Sequence, residues 1–381
     1  MNSNYIIIGA DIVPTARNYD LFSSENIVEL VGEDLRNIMN NASYRIFNME
    51  TPLVDEASPI SKWGPALRAP TKVVAGYEEL KINLLTLANN HIMDHGINGL
   101  LSTINVLKKS KISYVGVGDN STSASQPFIF NFSSKKIGVF ACVENEFSVA
   151  SAHSAGANAF DPLTSLDQVS ELKKSCDFVI VLYHGGKELY RYPSPYLQRL
   201  CRRIVDKGAD LVVCQHSHCV GCGEKWKQGN IVYGQGNFIF DADDFEEWKT
   251  GLLVKIDSNF NVDYVPIQKI NEKIRLATDV IANQIISDFE KRSLLILKPE
   301  FVINEYQKFS EQFLDTYLTA CLGSNNIFVR ALNKLTKGKA AKYVLRKRYK
   351  KSEMLALINY IECEAHRELF LTGLKDKLKD F

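Results

Sequence analysis

The first two-thirds of the chain alternates short apolar runs with amphipathic stretches. The runs that have the length and composition of β-strands are Tyr5–Gly9, Tyr44–Asn48, Leu84–Ala88, Lys136–Val143, Phe178–Tyr183, Leu211–Cys214, Ile231–Tyr233 and Leu252–Ile256. Between them, Ile97–Ser110 and Tyr196–Lys207 repeat apolar residues at the spacing of a helix that packs on one face. Strands that alternate with helices predict an α/β sheet.

The pattern changes near residue 275, where glycine becomes rare and helical periodicity takes over. The helical patterns are Ser287–Ile296, Glu305–Leu322 and Ser352–Leu374. We therefore predict an α/β domain over residues 1–272 and a helical, partly basic region over residues 273–381.

Polar residues of the kinds that bind metals fall at or just past the ends of the apolar runs. They are Asp11, Glu50, Asn90, His91, His184, His216 and His218. Because the carboxyl ends of the strands in an open α/β sheet form the edge where sites are built, we expect these side chains to meet. Imidazole and carboxylate together suit zinc, manganese, iron or nickel rather than calcium.

Each of these residues also has an ordinary structural explanation. Asp11 suits a helix N-cap or a turn, and the Asn89–His91 segment suits a turn because asparagine tolerates left-handed geometry. His216 and His218 form the strongest local signal, since residues two apart project the same way from an extended chain. Their common order and strand-end placement favour a metal centre over a set of unrelated turns.

Short segments around these residues follow one another in a specific order along the chain. They are Gly9–Asp11, Asn48–Leu53, Leu87–His91 followed by Asp94 and Gly96, His184–Glu188, Gln215–His218 and Tyr233–Phe238. In this order they resemble the bacterial capsule-synthesis CapA family, which is associated with poly-γ-glutamate synthesis and related to the calcineurin-like metallophosphoesterases. The resemblance covers roughly residues 5–257. It implies a calcineurin-like α/β fold, a β-sandwich flanked by helices, here with a helical C-terminal appendage.

The resemblance also implies roles for individual residues. The ligands of one or two divalent ions, manganese, zinc or iron, would be Asp11, Glu50, Asn90, His184, His216 and His218. His91 would act as the general acid or as a donor to the transition state, with Asp94 orienting it. Glu188 would be a further carboxylate of the catalytic site, and Asn237 would shape its substrate-binding edge.

Three positions depart from the related patterns. Val13 stands where the broader metallophosphoesterases place a histidine two residues after the first aspartate. Glu50 stands where that superfamily usually has an aspartate, and Cys214–His218 replaces a Gly-His-His-Pro-His segment. With a nitrogen ligand missing at Val13, we expect one tightly held ion, or one tight and one loose.

Two further features have open interpretations. The loop at Lys62–Pro65 either closes over a substrate anion through Lys62 or forms a turn that anchors the Trp63 indole in the core. Cys214, Cys219 and Cys222 flank the histidine pair, and a thiolate ligand is one reading of them. The commoner case is a buried free cysteine, which we favour here.

Bulk composition restricts the partners and the location. The formal net charge of +1 over 381 residues indicates neither a nucleic-acid nor a membrane partner for the chain as a whole. The first residues lack the basic start and apolar stretch of a signal peptide, and no apolar run is long enough for a transmembrane helix. We therefore expect a cytoplasmic protein with reduced cysteines.

The segment 334–351 is the exception to this balance. Its lysines and arginines suit an anionic polymer, an acidic lipid surface or nucleic acid, and a solvated helix face is the alternative. Because no nucleic-acid-binding module accompanies it, we do not predict specific nucleic-acid binding. Peripheral membrane contact through this segment stays an open alternative.

Residues and resemblance together predict a metal-dependent hydrolase of the capsule-synthesis family. It would act through a metal-activated water on a phosphoester or an amide-linked anionic polymer or precursor. Expected partners are an anionic polymer or phosphorylated small molecule and other capsule-synthesis proteins. The alternative is a non-hydrolytic accessory protein of polyanion synthesis with a structural or vestigial metal site.

Overall fold

A computed structural model describes residues 4–23, 25–240, 245–321, 331, 334–336, 339–362 and 364–378. Their strands are β1 (Tyr5–Val13), β2 (Tyr44–Met49), β3 (Leu84–Thr86), β4 (Ser113–Val115), β5 (Val117–Gly118), β6 (Phe128–Phe132), β7 (Lys135–Val143), β8 (Gly156–Ala157), β9 (Phe178–His184), β10 (Leu211–Gln215), β11 (Gly223–Trp226), β12 (Gly229–Val232), β13 (Asn237–Phe240), β14 (Thr250–Asp257), β15 (Val262–Ile270) and β16 (Lys273–Leu276). Their α-helices are α1 (Ile27–Val31), α2 (Glu33–Asn41), α3 (Val74–Glu79), α4 (Gly96–Lys109), α5 (Ser121–Ala124), α6 (Ser165–Ser175), α7 (Pro195–Asp206), α8 (Asp279–Leu295), α9 (Pro299–Cys321), α10 (Lys339–Arg348), α11 (Lys351–Glu362) and α12 (Glu364–Lys377). Short 3-10 helices lie at Tyr19–Leu21, Thr71–Val73 and Glu246–Lys249.

Two large sheets carry the fold. The first has the order β16-β15-β14-β1-β2-β3-β4, with β13 also paired to β1. The second has the order β11-β12-β10-β9-β7-β6. Both sheets contain a run of parallel strands, β1–β2–β3–β4 in the first and β7–β9–β10–β12 in the second. Antiparallel strands extend the first sheet on one side, through β14, β15 and β16, and the second sheet on both sides, through β6 and β11. The carboxyl ends of the parallel strands therefore collect along one edge of each sheet.

Side-chain alternation along β9 shows how the layers pack. Ile180 and Leu182 belong to the core between the two sheets, whereas Val179 and Val181 pack with residues of α6 and α7 on the outer face. Helices α2 and α4 contribute Leu35 and Leu100 to the core that covers the first sheet. The chain thus forms the predicted α/β arrangement, a two-sheet sandwich flanked by helices.

One predicted strand end differs from the structure. We placed Asp11 just past a strand ending at Gly9, but β1 continues to Val13. The register of β1 shifts around Asp11 against both β2 and β13. This irregularity lets a residue inside the strand occupy a position at the edge of the sheet.

The compact units do not follow the predicted boundary near residue 272. The first unit is Met1–Ile303 and the second is Asn304–Phe381. Strand β16 pairs with β15, and α8 contributes Ile285 and Phe289 to the core of the first unit, so both elements belong to the α/β part. In the second unit the described chain is helical. Among the described helices, none combines the length and the apolar character that crossing a bilayer requires.

Gly9 is required by the close approach of β1 to a neighbouring ring. A Cβ atom built at this position would lie 1.9 Å from Phe47 Cε1, and Phe47 is fully buried against Phe238. We expect Gly9→Ala to lower the free energy of unfolding by about 1–3 kcal/mol, because the ring has no space to move into. Urea denaturation measures this change.

A matched control is Gly373→Ala in α12, where an added Cβ meets no atom within 4 Å. This substitution should leave stability unchanged or slightly raised, since alanine favours a helix. An unchanged denaturation midpoint for Gly9→Ala would show that the β1 and β2 packing adapts freely.

Candidate metal centre

Loops and strand ends from both sheets meet at one place. Asp11 comes from β1, Glu50 follows β2, and Asn90 follows β3 in the first sheet. In the second sheet His184 ends β9, while His216 and His218 follow β10. The structure brings all six predicted metal ligands together, as the strand-end pattern requires.

Glu50 lies at the centre of this group. Its Oε1 atom is 3.2 Å from His184 Nε2 and 3.7 Å from His216 Nδ1, and its Oε2 atom is 3.9 Å from His218 Nδ1. The side chain is fully buried, yet neither carboxylate oxygen has a hydrogen-bond partner among the described residues. A buried carboxylate without hydrogen bonds is costly, so this one calls for a cation.

Three overlapping groups of side chains have donor atoms close enough to share an ion. They are Glu50 with His184 and His216, Asp11 with Glu50 and His218, and Glu188 with His216 and His218, each with its atoms within 4.8 Å of one another. The first two share Glu50, and all their members are buried except His216, which is partly exposed. This arrangement gives Glu50 the position of a carboxylate that bridges two ligand sets.

Charge coupling among these residues is strong. Burial by itself opposes a charged carboxylate, but the His218 and His184 imidazoles outweigh it and hold the pKa of Glu50 well below its usual range. Burial likewise opposes a charged imidazole, yet Glu50 and Asp11 raise the pKa of His218 to about 9, and Glu50 raises the pKa of His216. Protons on the imidazoles therefore balance the carboxylates, and a bound cation would replace them.

Two asparagines hold the ligands in place. Asn48 Nδ2 donates to Asp11 Oδ1 at 2.7 Å and lies 3.1 Å from His184 Nδ1. Asn89 Nδ2 donates to Asn48 Oδ1 at 3.2 Å and to the Met49 carbonyl at 2.8 Å. Because the amide donates to Nδ1, the hydrogen of His184 sits on Nε2, beside Asn90 Oδ1 at 3.0 Å, and an ion there would displace it.

The His216–His218 segment is not the extended chain that the spacing suggested. His216 has a φ of 94° and His218 a φ of 54°, both in the left-handed region that non-glycine residues rarely adopt. The two rings converge through this tight turn rather than by projecting from one strand face. Such strain persists where the surrounding structure fixes it, which is common at functional sites.

His91 and Asp94 form a buried pair beside the metal ligands. His91 Nδ1 lies 2.6 Å from Asp94 Oδ2, which also accepts a 2.6 Å hydrogen bond from the Leu67 backbone N–H. Since a carboxylate only accepts, the imidazole hydrogen sits on Nδ1. His91 Nε2 has no hydrogen-bond partner in the described part of the chain, so it is available to another molecule.

Lys62 lies inside the site rather than at its surface. Its side chain is almost fully buried, with an ion pair from the ammonium to Asp94 and a 3.3 Å approach to His91 Nδ1. The neighbouring Trp63 is 69% exposed, so our reading that this turn anchors an indole in the core is wrong. The predicted contact of Lys62 with substrate stays a prediction.

Glu188 and Asn237 occupy opposite environments. Glu188 is half exposed, with Oε1 4.0 Å from His216 Nε2. Asn237 is buried, and its Oδ1 lies 2.8 Å from His218 Nδ1. Asn237 is therefore placed to orient a predicted ligand, and its predicted contact with substrate remains untested.

An apolar wall lies beside His218. Val13, Phe240 and Trp248 pack together, and the His218 ring lies 5.2 Å from the Trp248 ring. Val13 thus supplies no donor atom, in line with the expectation from its sequence position. The cysteines add none either: Cys214, Cys219 and Cys222 are buried free thiols, and the described metal-binding groups contain no cysteine.

Residues and geometry together fit a divalent transition metal. The donor set combines carboxylates, an amide oxygen and imidazoles, which suits manganese, zinc or iron. The charged, buried Glu50 carboxylate, which has no hydrogen bond among the described residues, gives this fit a physical basis beyond residue type. Sequence reasoning missed the supporting roles of Asn48 and Asn89, although both lie beside predicted ligands in the sequence.

Comparison with known proteins places the chain among capsule-synthesis proteins. Residues 6–242 match the family model described as bacterial capsule synthesis protein PGA_cap. The capsule biosynthesis protein CapA of Bacillus anthracis is 30% identical over 212 residues, which are 53% of this chain and 52% of that protein. The PGA biosynthesis protein CapA of Bacillus subtilis is 31% identical over 170 residues, or 43% and 44% of the two chains.

These alignments span about half the length of the two relatives. Among solved structures, a novel phosphatase from Mycoplasma pneumoniae aligns with a TM-score of 0.45 and 16% identity. That alignment covers 71% of this chain and 95% of the other.

Proposed function

The chain belongs to the bacterial capsule synthesis protein family PGA_cap, and from this premise we propose that it is a metal-dependent hydrolase of capsule synthesis. The observation that carries the proposal is Glu50, a buried charged carboxylate with no hydrogen bond, surrounded by three histidines. A site of this kind requires a cation, and cation-binding carboxylate–histidine sites suit hydrolytic chemistry.

The residues that would hold the metal are those that the strand ends bring together. They are Asp11, Glu50, Asn90, His184, His216 and His218. When bound, a divalent ion supplies a Lewis acid and lowers the pKa of a coordinated water. The protein keeps the ligands oriented through Asn48 and Asn237, and it excludes water on one side with the apolar wall of Val13, Phe240 and Trp248.

His91 is the residue best placed to move a proton. Asp94 holds the hydrogen on Nδ1, so Nε2 can carry or release a second proton toward a leaving group. Lys62 forms an ion pair with the buried Asp94 carboxylate and balances its charge inside the site. General acid catalysis by His91 is thus supported by the dyad geometry.

An anionic polymer or its precursor is the substrate class we propose. The family description and the names of the two Bacillus relatives associate such proteins with capsule and PGA synthesis. We propose that the scissile bond is a phosphoester or an amide of such a compound, and that other capsule-synthesis proteins are partners. Whether the exposed basic helix α10 contacts an acidic surface stays a prediction.

A second function is supported by one observation. Val13 packs into the apolar wall where related sites have a histidine, so one ligand position lacks a donor. An accessory protein that binds a polyanion without cleaving it would tolerate this loss. Its metal would then have a structural role.

Hydrolysis by metal-loaded protein tests the proposal. Purified protein stripped with chelator and then reloaded with manganese or zinc is assayed on p-nitrophenyl phosphate, bis-p-nitrophenyl phosphate and oligo-γ-glutamate. We expect turnover of at least one compound by the reloaded protein and none by the stripped protein. Complete inactivity of metal-loaded protein on phosphoesters and amides would instead favour the accessory function.

A further inference from the structure

A cleft lies next to the chain that follows His216 and His218, and Val220 is part of its lining. It has a volume of about 610 Å³ and is bordered by α8, by β15 and by the 3-10 helix Glu246–Lys249. Its charged lining residues are Arg191, Lys249, Lys269, Arg292, Glu246 and Asp288. Positive side chains therefore outnumber carboxylates in this cleft, which favours an anionic occupant.

Two half-buried arginines are fixed at the inner side of this cleft. Arg292 Nε donates to the Gly221 carbonyl at 2.7 Å, and Arg191 Nη1 donates to the Val220 carbonyl at 3.1 Å. Within the described residues, the remaining N–H groups of both guanidiniums have no hydrogen-bond partner. Each arginine is thus held in place by one hydrogen bond, and its remaining guanidinium N–H groups are available to bind an anion.

Bringing two guanidiniums together costs energy unless an anion joins them. Burial lowers the pKa of Arg292, and the nearby charge of Arg191 lowers it further. A carboxylate or phosphate can take two parallel N–H bonds from one guanidinium, and such bonds are strong when they are shielded from water. The pair therefore has the properties of a preformed anion site rather than of a solvated basic surface.

The chain connects this cleft directly to the candidate metal centre. Val220 is two residues beyond His218, and Arg191 is three residues beyond Glu188. Both arginines thus bind the backbone that directly follows the turn presenting the histidines. The cleft and the candidate metal centre are thus joined by short stretches of chain.

We propose that the cleft binds an anionic group, a carboxylate or a phosphate, of the same polymer or precursor that the metal centre acts on. The substrate assignment rests on the proposed function, whereas anion binding by the cleft does not. Val280 provides a way to change the charge of the cleft without touching the arginines, because it lines the cleft and is 81% exposed.

Titration calorimetry on metal-free full-length protein tests the proposal with γ-linked tetraglutamate and tripolyphosphate as probes. We expect at least one probe to bind, and its affinity to fall by about 10-fold to 100-fold in Arg191→Gln/Arg292→Gln. Val280→Glu should weaken binding about threefold or more through repulsion, while Val280→Gln should not. The preferred probe distinguishes a carboxylate polymer from a phosphorylated precursor.

The control is Arg199→Gln, which removes an exposed arginine from α7 outside the cleft and should leave probe affinity unchanged. Absence of binding by either probe would overturn the proposal. So would equal affinities in wild type, Val280→Glu and the double arginine variant. Charge-dependent binding in a protein that hydrolyses nothing would support the cleft and count against the hydrolase alone.

Discussion

Glu50→Gln is expected to weaken binding of manganese or zinc by at least about 100-fold, since even residues that only support metal ligands contribute 10-fold to 100-fold. The substitution keeps the size of the side chain and removes its charge. Glu50 contacts His184, His216 and His218, so it belongs to two of the three groups of candidate ligands. No other carboxylate of the site occupies this shared position. Metal content by mass spectrometry and affinity by competition with a chelating dye measure the effect.

Glu188→Gln is the matched control, because it makes the same chemical change at the edge of the site. Glu188 is half exposed, and its one ion pair among the described residues is the 4.0 Å contact with His216, so its loss should reduce affinity much less. Circular dichroism checks that both variants fold. Equal metal content in wild type and in a folded Glu50→Gln protein would show that the site does not hold a metal.

His91→Ala is expected to lower the rate of hydrolysis by about 10²-fold to 10⁴-fold while the bound metal is retained. His91 belongs to none of the described groups of candidate ligands, and its Nδ1 is engaged by Asp94. Its removal therefore takes away a proton donor and leaves the ligand set intact. The measurement pairs kcat on the substrate found for the wild type with metal content of the same preparation.

Two variants show whether this effect comes from proton transfer. Asp94→Asn should also lower kcat, because an amide can no longer hold the hydrogen on His91 Nδ1, and it should change the pH profile of the rate. His153→Ala removes an exposed histidine far from the site in sequence and should change nothing. A His91→Ala enzyme with full activity would exclude His91 as the general acid.

The positions of the strands along the chain could be predicted because they are written in local patterns, and the same patterns place the candidate ligands at or near strand ends. Residues such as Val179–Leu182 alternate between two apolar faces, and Ile97–Ser110 repeats at helical spacing; the structure has a strand and a helix at these places. The start of the helical region, placed at residue 273, could not be predicted in this way. Residues 273–276 and 279–295 join the first unit, because pairing of β16 with β15 and the buried face of α8 depend on contacts with earlier strands.

Contacts between distant residues could not be predicted from spacing. Asn48 reaches His184 across 136 positions, and Arg45, although charged, is buried because its guanidinium binds the carbonyls of Met39, Ala42 and Lys81. The pairing of Lys62 with Asp94 likewise depends on how one loop folds over another. Such contacts leave no periodic signal in the chain, because they depend on which strands become neighbours in the sheets and on how the loops fold over one another.

The sequence by itself determined which residues are offered to the site, since alternating apolar runs fix the strands and polar residues at their ends mark the edge of the sheet. The tertiary structure alone decided that Glu50 is buried without a hydrogen bond and that His216 and His218 converge through left-handed turns. It also placed Arg191 and Arg292 against the backbone carbonyls of Val220 and Gly221, just beyond that turn. The physical reason is that strand formation depends on neighbours in the chain, whereas burial, charge coupling and strain depend on which strands lie side by side.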